Sequence, residues 1–139
     1  ERIELVSPPS LLHAVLMFPE TACPTGPVYR RFDELGPAAR ADEERVRGLA
    51  TATLDKDAPF NDLAAAALDL HPELQEDLDR IRPIVEQAIH LSGSGSTLFT
   101  LCDDQLHADL LAAAISERLQ IPAISVQTAP GQNLGEIQR

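Results

Sequence analysis

The stretch HLSGSGSTLFTLCDD, residues 90–104, places a segment rich in glycine and serine between two apolar runs. The chain has only seven glycines, and two of them are Gly93 and Gly95. Glycine adopts positive φ angles without a side-chain clash, so this segment predicts a hairpin turn between strands at 88–91 and 97–102. The alternative is a turn whose N–H groups and serine hydroxyls face an anion. Spacing alone leaves both open, because no lysine follows as in a GxxxxGK[ST] loop.

Two further apolar runs predict the remaining strands. Residues 11–18, LLHAVLMF, form a buried strand ended by Pro19, and residues 121–128 alternate between apolar and polar side chains. Pro122, at the beginning of the last run, is tolerated at a sheet edge. The order strand, several helices, two strands, helix, strand is typical of an α+β, ferredoxin-like split βαβ fold. That fold has a four-stranded antiparallel sheet with helices on one face.

Five segments predict helices. Thr25 is a candidate N-cap for a short helix that Gly36 ends, and Asn61 or Asp62 is a candidate cap for a helix within 59–71. Residues 41–54 carry acids in the first turn, as suits the helix dipole. Pro72 opens a helix with Leu74, Leu78 and Ile81 inward, and Pro83 should kink or restart it. Asp103 or Asp104 caps the last helix, whose predicted buried face contains Leu106, Leu110, Leu111, Ala114 and Ile115.

Composition narrows the classes of function. The chain has 139 residues and 44% hydrophobic side chains, which suits one domain at 1–128 followed by a loose tail at 129–139. A net charge of −11 argues against binding to nucleic acid or to an anionic membrane surface. No apolar run reaches the length of a membrane span. Cys23 and Cys102 form no CxxC pair, and they fit free thiols in a reducing cytoplasm.

A family resemblance rests on the opening stretch and its flanks. LSGSGSTLFTLCDD closely resembles the third motif of the GHMP small-molecule kinases, a glycine-rich SGSG turn followed by a strand containing phenylalanine. VLMFPETACPTGPVYRRFDEL and FNDLAAAALDLHPEL are similar to segments of one branch of that family. ERIELVSPPS is similar to the stretch that enters the second half of those kinases. The resemblance covers most of the chain in the same order, but only the C-terminal half of the family.

The resemblance implies the C-terminal domain of an ATP-dependent kinase of nonmevalonate isoprenoid biosynthesis. Its acceptor would be the small molecule 4-diphosphocytidyl-2-C-methyl-D-erythritol, and ATP and Mg²⁺ would be used by the intact enzyme. The missing partner would be an N-terminal half with the main ATP loop and the catalytic aspartate and lysine. No catalytic residue, metal ligand or bound cofactor is therefore expected in this fragment, and we expect it alone to be inactive. The implied residues for substrate or phosphate binding are Ser92, Gly93, Ser94, Gly95, Ser96, Thr25, Asn61 and Asp62.

Other interpretations compete with this one. A ferredoxin-like domain can also act as a non-catalytic regulatory or dimerisation module, and a GHMP kinase with a different acceptor would share the same motifs. Capping explains Asn61, Asp62 and Thr25 without any substrate. Lys56 is the only lysine of the chain, and its charged surroundings predict a solvated surface residue. The four histidines show no spacing typical of metal ligands.

Overall fold

A computed structural model describes residues 11–36, 46–48 and 56–128. Its strands are β1 (His13–Met17), β2 (His90–Leu91), β3 (Leu98–Cys102) and β4 (Ala123–Gln127). Its helices are α1 (Thr25–Leu35), α2 (Ala64–Leu70), α3 (Pro72–Ile81) and α4 (Gln105–Leu119), and residues 46–48 are also helical. The rest of the helix predicted at 41–54 and the tail predicted at 129–139 lie outside the described residues.

The four strands form one antiparallel sheet in the order β2-β3-β1-β4. β1 lies in the middle, with Met17 opposite Leu98 on one side and opposite Ala123 on the other. β4 pairs with β1 alone and forms an edge of the sheet, as Pro122 predicted. The predicted four-stranded antiparallel sheet of an α+β fold is therefore confirmed, with strands slightly shorter than the apolar runs.

Alternate side chains of the central strands point to the helices. Val15 and Met17 on β1 are fully buried, and their partners on β3, Thr100 and Leu98, are fully buried too. The Thr100 hydroxyl donates a hydrogen bond to the Ala88 carbonyl at 2.9 Å, so burial leaves it paired. The side chains between these positions face the opposite side of the sheet, because successive residues of a strand alternate.

Helix α4 packs on this sheet through a narrower face than the sequence predicted. Its buried positions are Ala108, Leu111, Ala112 and Ile115. Leu106 and Leu110, which were predicted to be inward, are 67% and 64% exposed. At about 100° per residue, the buried positions span roughly 100° of the helix, whereas the predicted face spans about half of its circumference. Alanines occupy two of the four buried positions, and the buried face is turned away from Leu106 and Leu110.

Helix α3 confirms its predicted inward face. Leu74 and Ile81 are fully buried, and Leu78 is 7% exposed. Pro72 occupies the first turn, where a missing N–H costs nothing. The helix ends at Ile81, two residues before Pro83, and a turn follows. Arg82 keeps helical angles, with φ −47° and ψ −40°, so the helix ends because Pro83 has no N–H to donate to the Asp79 carbonyl.

Two predicted helix caps are wrong by one or two residues. Pro24, with φ −60° and ψ 128°, is the N-cap of α1, and Thr25 is the first helical residue, without a capping side chain. Helix α2 begins at Ala64, with Leu63 in the cap position and no side-chain cap. Asn61 lies before this cap, and its own carbonyl accepts from the Ala64 N–H at 3.1 Å. Helix α1 therefore begins one residue earlier than predicted, whereas the turn at residues 62–63 moves the start of α2 one or two residues later.

The remaining predicted caps and faces are partly confirmed. The Asp104 carboxylate caps α4 by accepting from the His107 N–H at 2.8 Å, as one of the two predicted alternatives. On α2, Ala67 is buried, but Leu70, which was predicted on the same face, is 38% exposed.

A polar network joins α4 to the edge of the sheet. The Ser125 hydroxyl donates to the Asp109 carboxylate, and Gln105 Nε2 donates to the same oxygen at 2.8 Å. Gln105 Oε1 lies 3.2 Å from His13 Nδ1. The bond from Ser125, followed by that from Gln105, lowers the pKa of Asp109 because both stabilise the charged carboxylate.

The adjacent leucines of α4 provide a matched test of its packing. We expect Leu111→Ala to lower the free energy of unfolding by about 2–5 kcal/mol, because it leaves a cavity in the core. Leu110→Ala removes an exposed side chain and should change it by less than about 0.5 kcal/mol. Urea denaturation of both variants measures the difference. Equal losses of unfolding free energy in the two variants would contradict the assignment of Leu111 to the buried face and Leu110 to the exposed face.

Loss of the Ser125 hydroxyl should raise the pKa of Asp109 towards its ordinary value. A carboxyl with a lowered pKa stabilises the folded state above the pKa of the unfolded chain, and that contribution is lost as pH falls through the native pKa. The advantage of the wild type over Ser125→Ala should therefore disappear in acid. NMR titration of the Asp109 carboxyl gives the pKa directly, with Ser116→Ala as the control. An unchanged pKa in Ser125→Ala would contradict the network.

Candidate functional site

The segment at residues 92–96, which we call the glycine–serine loop, is the tight turn between β2 and β3. Its ends are closed by a hydrogen bond from the Ser92 N–H to the Thr97 carbonyl at 2.9 Å. The Gly95 N–H donates to the Ser92 carbonyl at 3.0 Å, across a four-residue turn. Gly93 has φ +56°, and Ser94 has no positive φ, which is typical of a type II′ turn with glycine first. The predicted hairpin connection is confirmed.

The chain between β1 and α1 holds one side of this loop. Ser94 Oγ donates to the Cys23 carbonyl at 3.4 Å and lies 3.2 Å from Thr25 Oγ1. Ser96 Oγ donates to the Pro19 carbonyl at 3.3 Å. Two of the loop's three serine hydroxyls therefore bond to protein carbonyls. The Thr25 hydroxyl, which does not cap its own helix, is directed to the loop instead.

Asn61 holds the loop from the side of α2. Its Nδ2 donates to the Leu91 carbonyl at 2.8 Å and to the Gly93 carbonyl at 2.7 Å. Its Oδ1 accepts from the Leu63 N–H at 3.0 Å. Asp62, next in the chain, lies exposed in the turn before α2. Of the two residues predicted here, the structure joins Asn61 to the loop by direct bonds.

The two glycines of the loop face different surroundings. A Cβ atom added to Gly93 would meet no other atom within 4 Å. A Cβ added to Gly95, whose φ is +94°, would lie 3.1 Å from Cys23 Sγ and 3.2 Å from Leu91 Cδ1. Gly93 therefore faces open space, whereas Gly95 packs closely against its neighbours and has no room for a side chain.

Three N–H groups of the loop remain available. Those of Ser92 and Gly95 bond within the turn, but those of Gly93, Ser94 and Ser96 find no acceptor among the residues that the structure describes. Helix α1 begins beside them with no side-chain cap, so its first N–H groups add partial positive charge. Backbone dipoles thus contribute positive potential here, in a strongly acidic chain.

The Cys23 thiol packs against the loop at Gly95. Burial raises the pKa of Cys23, and the negative charge of Glu73 raises it further. Both effects favour the neutral thiol, which is the form suited to packing against Gly95. This contact with the loop was not predicted, because nothing in the residues around Cys23 indicates which distant turn the thiol contacts.

Lys56 lies apart from this loop. Its ammonium group pairs with the Asp103 carboxylate, which follows β3 at the end opposite to the loop. This pairing lowers the pKa of Asp103, and His107, whose Nδ1 lies 3.4 Å away, contributes a smaller part. The predicted surface lysine is thus partly exposed but paired. Within the described ranges, no group of three His, Cys, Asp or Glu side chains could hold a metal ion, and no helix is long and apolar enough to cross a membrane.

Comparison with known proteins gives one consistent answer. The relatives with curated names include a 4-diphosphocytidyl-2-C-methyl-D-erythritol kinase of Cutibacterium acnes, 38% identical over 120 residues, covering 77% of this chain and 39% of the relative. The enzyme of the same name from a Caulobacter species is 35% identical over 127 residues, covering 84% of this chain and 43% of the relative. The chain therefore spans about two fifths of the length of these relatives.

Solved structures agree with the sequence relatives. A crystal structure of 4-(cytidine 5'-diphospho)-2C-methyl-D-erythritol kinase superimposes with a TM-score of 0.70 and 28% identity, over 91% of this chain and 46% of that chain. Homoserine kinase from Cytophaga hutchinsonii shares the fold, with a TM-score of 0.58 and 19% identity over 91% of this chain and 44% of that chain.

The family model described as GHMP kinases C terminal matches residues 50–121, which is 72 of the 139 residues. This segment contains α2, α3, the glycine–serine loop and α4, so the match includes the loop that resembles the family's third motif. The chain belongs to the GHMP kinase family, and it corresponds to the C-terminal part of that family.

Proposed function

We propose that this chain is the C-terminal part of an ATP-dependent kinase that phosphorylates a hydroxyl of 4-diphosphocytidyl-2-C-methyl-D-erythritol. The glycine–serine loop would form one wall of its phosphate or acceptor site. The observation that carries this proposal is the set of three loop N–H groups, those of Gly93, Ser94 and Ser96, that have no acceptor among the described residues. The names of the relatives support the choice of acceptor. As with other metabolic kinases, we place the enzyme in the cytoplasm.

Phosphoryl transfer needs what such a loop can supply. The acceptor oxygen forms a bond to the γ-phosphorus of ATP, the bond to the bridging oxygen of ADP breaks, and the hydroxyl proton is lost to a base. Negative charge is spread over the phosphoryl oxygens in the transition state, so fixed N–H donors lower the barrier without having to reorganise. Backbone donors suit this chain, because its acidic side chains outnumber its lysines and arginines and give a net charge of −11.

The proposal divides the work between two halves of a longer protein. The proposal assigns the Mg²⁺ ion that accompanies the nucleotide to the N-terminal half. The base and the charged catalytic groups would likewise come from an N-terminal half, as the family resemblance implies. Thr25 and Ser94 would complete the wall with their hydroxyls, 3.2 Å apart at the exposed edge of the loop. Asp62, which is exposed in the turn before α2, would lie at the edge of this wall.

The direct test is phosphorylation by the complete product of the gene. With ATP and 4-diphosphocytidyl-2-C-methyl-D-erythritol, we expect stoichiometric ADP and a phosphorylated acceptor, detected by mass spectrometry. The 139-residue chain alone should transfer no phosphate, because it lacks the proposed catalytic groups. Transfer to another small alcohol but not to this one would overturn the acceptor assignment. A complete gene product that phosphorylates no such alcohol would favour the regulatory or dimerisation module.

The two glycines of the loop should respond differently to the same substitution. Gly95→Ala places a Cβ against Cys23 and Leu91 at a positive φ, and we expect it to cost more than the roughly 1–3 kcal/mol of backbone strain alone. Gly93→Ala meets open space and should cost only the strain of its positive φ, about 1 kcal/mol. Denaturant unfolding of the two variants compares these costs.

The same pair of variants tests the loop in the enzyme. Both should lower kcat/KM of the complete gene product if the phosphoryl group approaches the loop closely, since each adds a methyl group or displaces an N–H donor. Unchanged kinetics in both variants would remove the glycine–serine loop from the proposed site.

A further inference from the structure

The side chain of Asn61 has no free donor for a ligand. Both hydrogens of its amide are directed to main-chain carbonyls, those of Leu91 and Gly93, at 2.8 Å and 2.7 Å. Its oxygen accepts from the Leu63 N–H at 3.0 Å. An asparagine side chain offers two donors and one carbonyl acceptor. The loop and the start of α2 therefore use both of its donors and its acceptor oxygen.

These bonds control the direction of an N–H group that Asn61 does not touch. A peptide unit is planar, and in the trans form its C=O and N–H point in opposite directions. The Gly93 carbonyl points to Asn61 Nδ2. The N–H of the same peptide unit belongs to Ser94, so it points away from Asn61 and has no acceptor among the described residues. Holding the Gly93 carbonyl thus fixes the direction of the Ser94 donor.

The turn does not fix this peptide unit by its own hydrogen bonds. The bonds that close the hairpin run from Ser92 N–H to Thr97 and from Gly95 N–H to Ser92. Neither of them involves the carbonyl of Gly93 or the N–H of Ser94. Gly93 lacks a side chain and has open space around it, so the main chain can rotate there at little cost. The Ser94 side chain bonds to the Cys23 carbonyl, but among the described residues Asn61 alone holds the Gly93 carbonyl.

We propose that Asn61 is a positioning residue, which aims the Ser94 N–H at the phosphate or acceptor site without touching the ligand. The inference rests on the proposed function for the identity of that site, but the aiming itself is a property of this chain. It reassigns Asn61, which the family resemblance implied as a binding residue. It also ties the direction of the donor to the turn before α2, through the bond from the Leu63 N–H.

The variant Asn61→Asp separates the two functions of the side chain. It keeps an oxygen that accepts from the Leu63 N–H, but it replaces the amide donor by a carboxylate oxygen facing two carbonyl oxygens. We expect the Ser94 amide signal of the 139-residue chain to shift and its N–H residual dipolar coupling, which reports the direction of the bond, to change, while core amides of α4 keep their shifts and couplings. If Asn61→Asp fails to fold, Asn61→Ser provides the same comparison.

Kinetics of the complete gene product give the second measurement. In Asn61→Asp we expect kcat to fall about tenfold or more with little change in KM for ATP. The reason is that a misdirected donor stabilises the transition state less, whereas binding of ATP in the ground state depends little on it. Leu111→Ala, which destabilises the distant α4, is the control for lost stability and should leave kcat unchanged.

The two measurements fail independently. An unchanged Ser94 amide in both Asn61→Asp and Asn61→Ser overturns the inference, whatever the kinase assay gives. A fall in kcat that Leu111→Ala reproduces also overturns it, because lost stability then explains the effect. A wild-type gene product without kinase activity overturns the proposed function instead, and a changed Ser94 amide would still support Asn61 as the residue that aims it.

Discussion

Pairing of β1 with β3 is the constraint on which the candidate site depends. The register sets Met17, the last residue of β1, opposite Leu98, the first residue of β3. The chain leaving β1 and the chain entering β3 therefore meet at the same end of the sheet. That is why Pro19, Cys23 and Thr25 lie beside a loop far along the sequence. A shift of one residue in this register would turn the buried side chains of β1 outward and would also separate the two segments.

The site combines three supports around one short turn. The β1–α1 connection holds the serine hydroxyls, Asn61 holds two carbonyls, and the strands close the ends. Each of these contacts pairs polar groups that would otherwise need water as a hydrogen-bond partner. The turn is therefore held in place while its exposed side stays free of side chains from the described residues. In an acidic chain, N–H groups arranged in this way can attract an anion where arginine and lysine side chains are scarce. Preorganisation of this kind is what phosphoryl transfer requires from a binding wall.

Much of the fold was predictable because its signals are local. Apolar runs and turn residues predicted all four strands, and Pro72, Pro83 and Asp104 marked helix ends close to where they occur. The buried face of α4 was predicted too wide, because hydrophobicity alone does not show that alanines, instead of Leu106 and Leu110, meet the sheet. The cap at Thr25 was misplaced because its hydroxyl lies 3.2 Å from Ser94 Oγ in a distant loop and does not cap its own helix, and the sequence does not show this contact.

The candidate site was predictable in its residues but not in its contacts. The glycine–serine loop, Thr25 and Asn61 were identified through the family resemblance, and the structure brings all three together. The role of each residue in the site depends on hydrogen bonds between distant segments, and no spacing in the sequence predicts those bonds. The approach of Cys23 to Gly95 is of the same kind, since it follows from the strand register.

Because Cys23 packs against Gly95, the space available at position 95 depends on the size of the side chain at position 23. The space that a methyl group at position 95 would need is already filled by the sulfur of Cys23 and by Leu91. A smaller residue at position 23 would free part of it, whereas a bulkier one would press on the turn from below. Because the φ of +94° at Gly95 also disfavours any side chain, homologous proteins are expected to keep glycine there and to restrict the size of the residue at position 23.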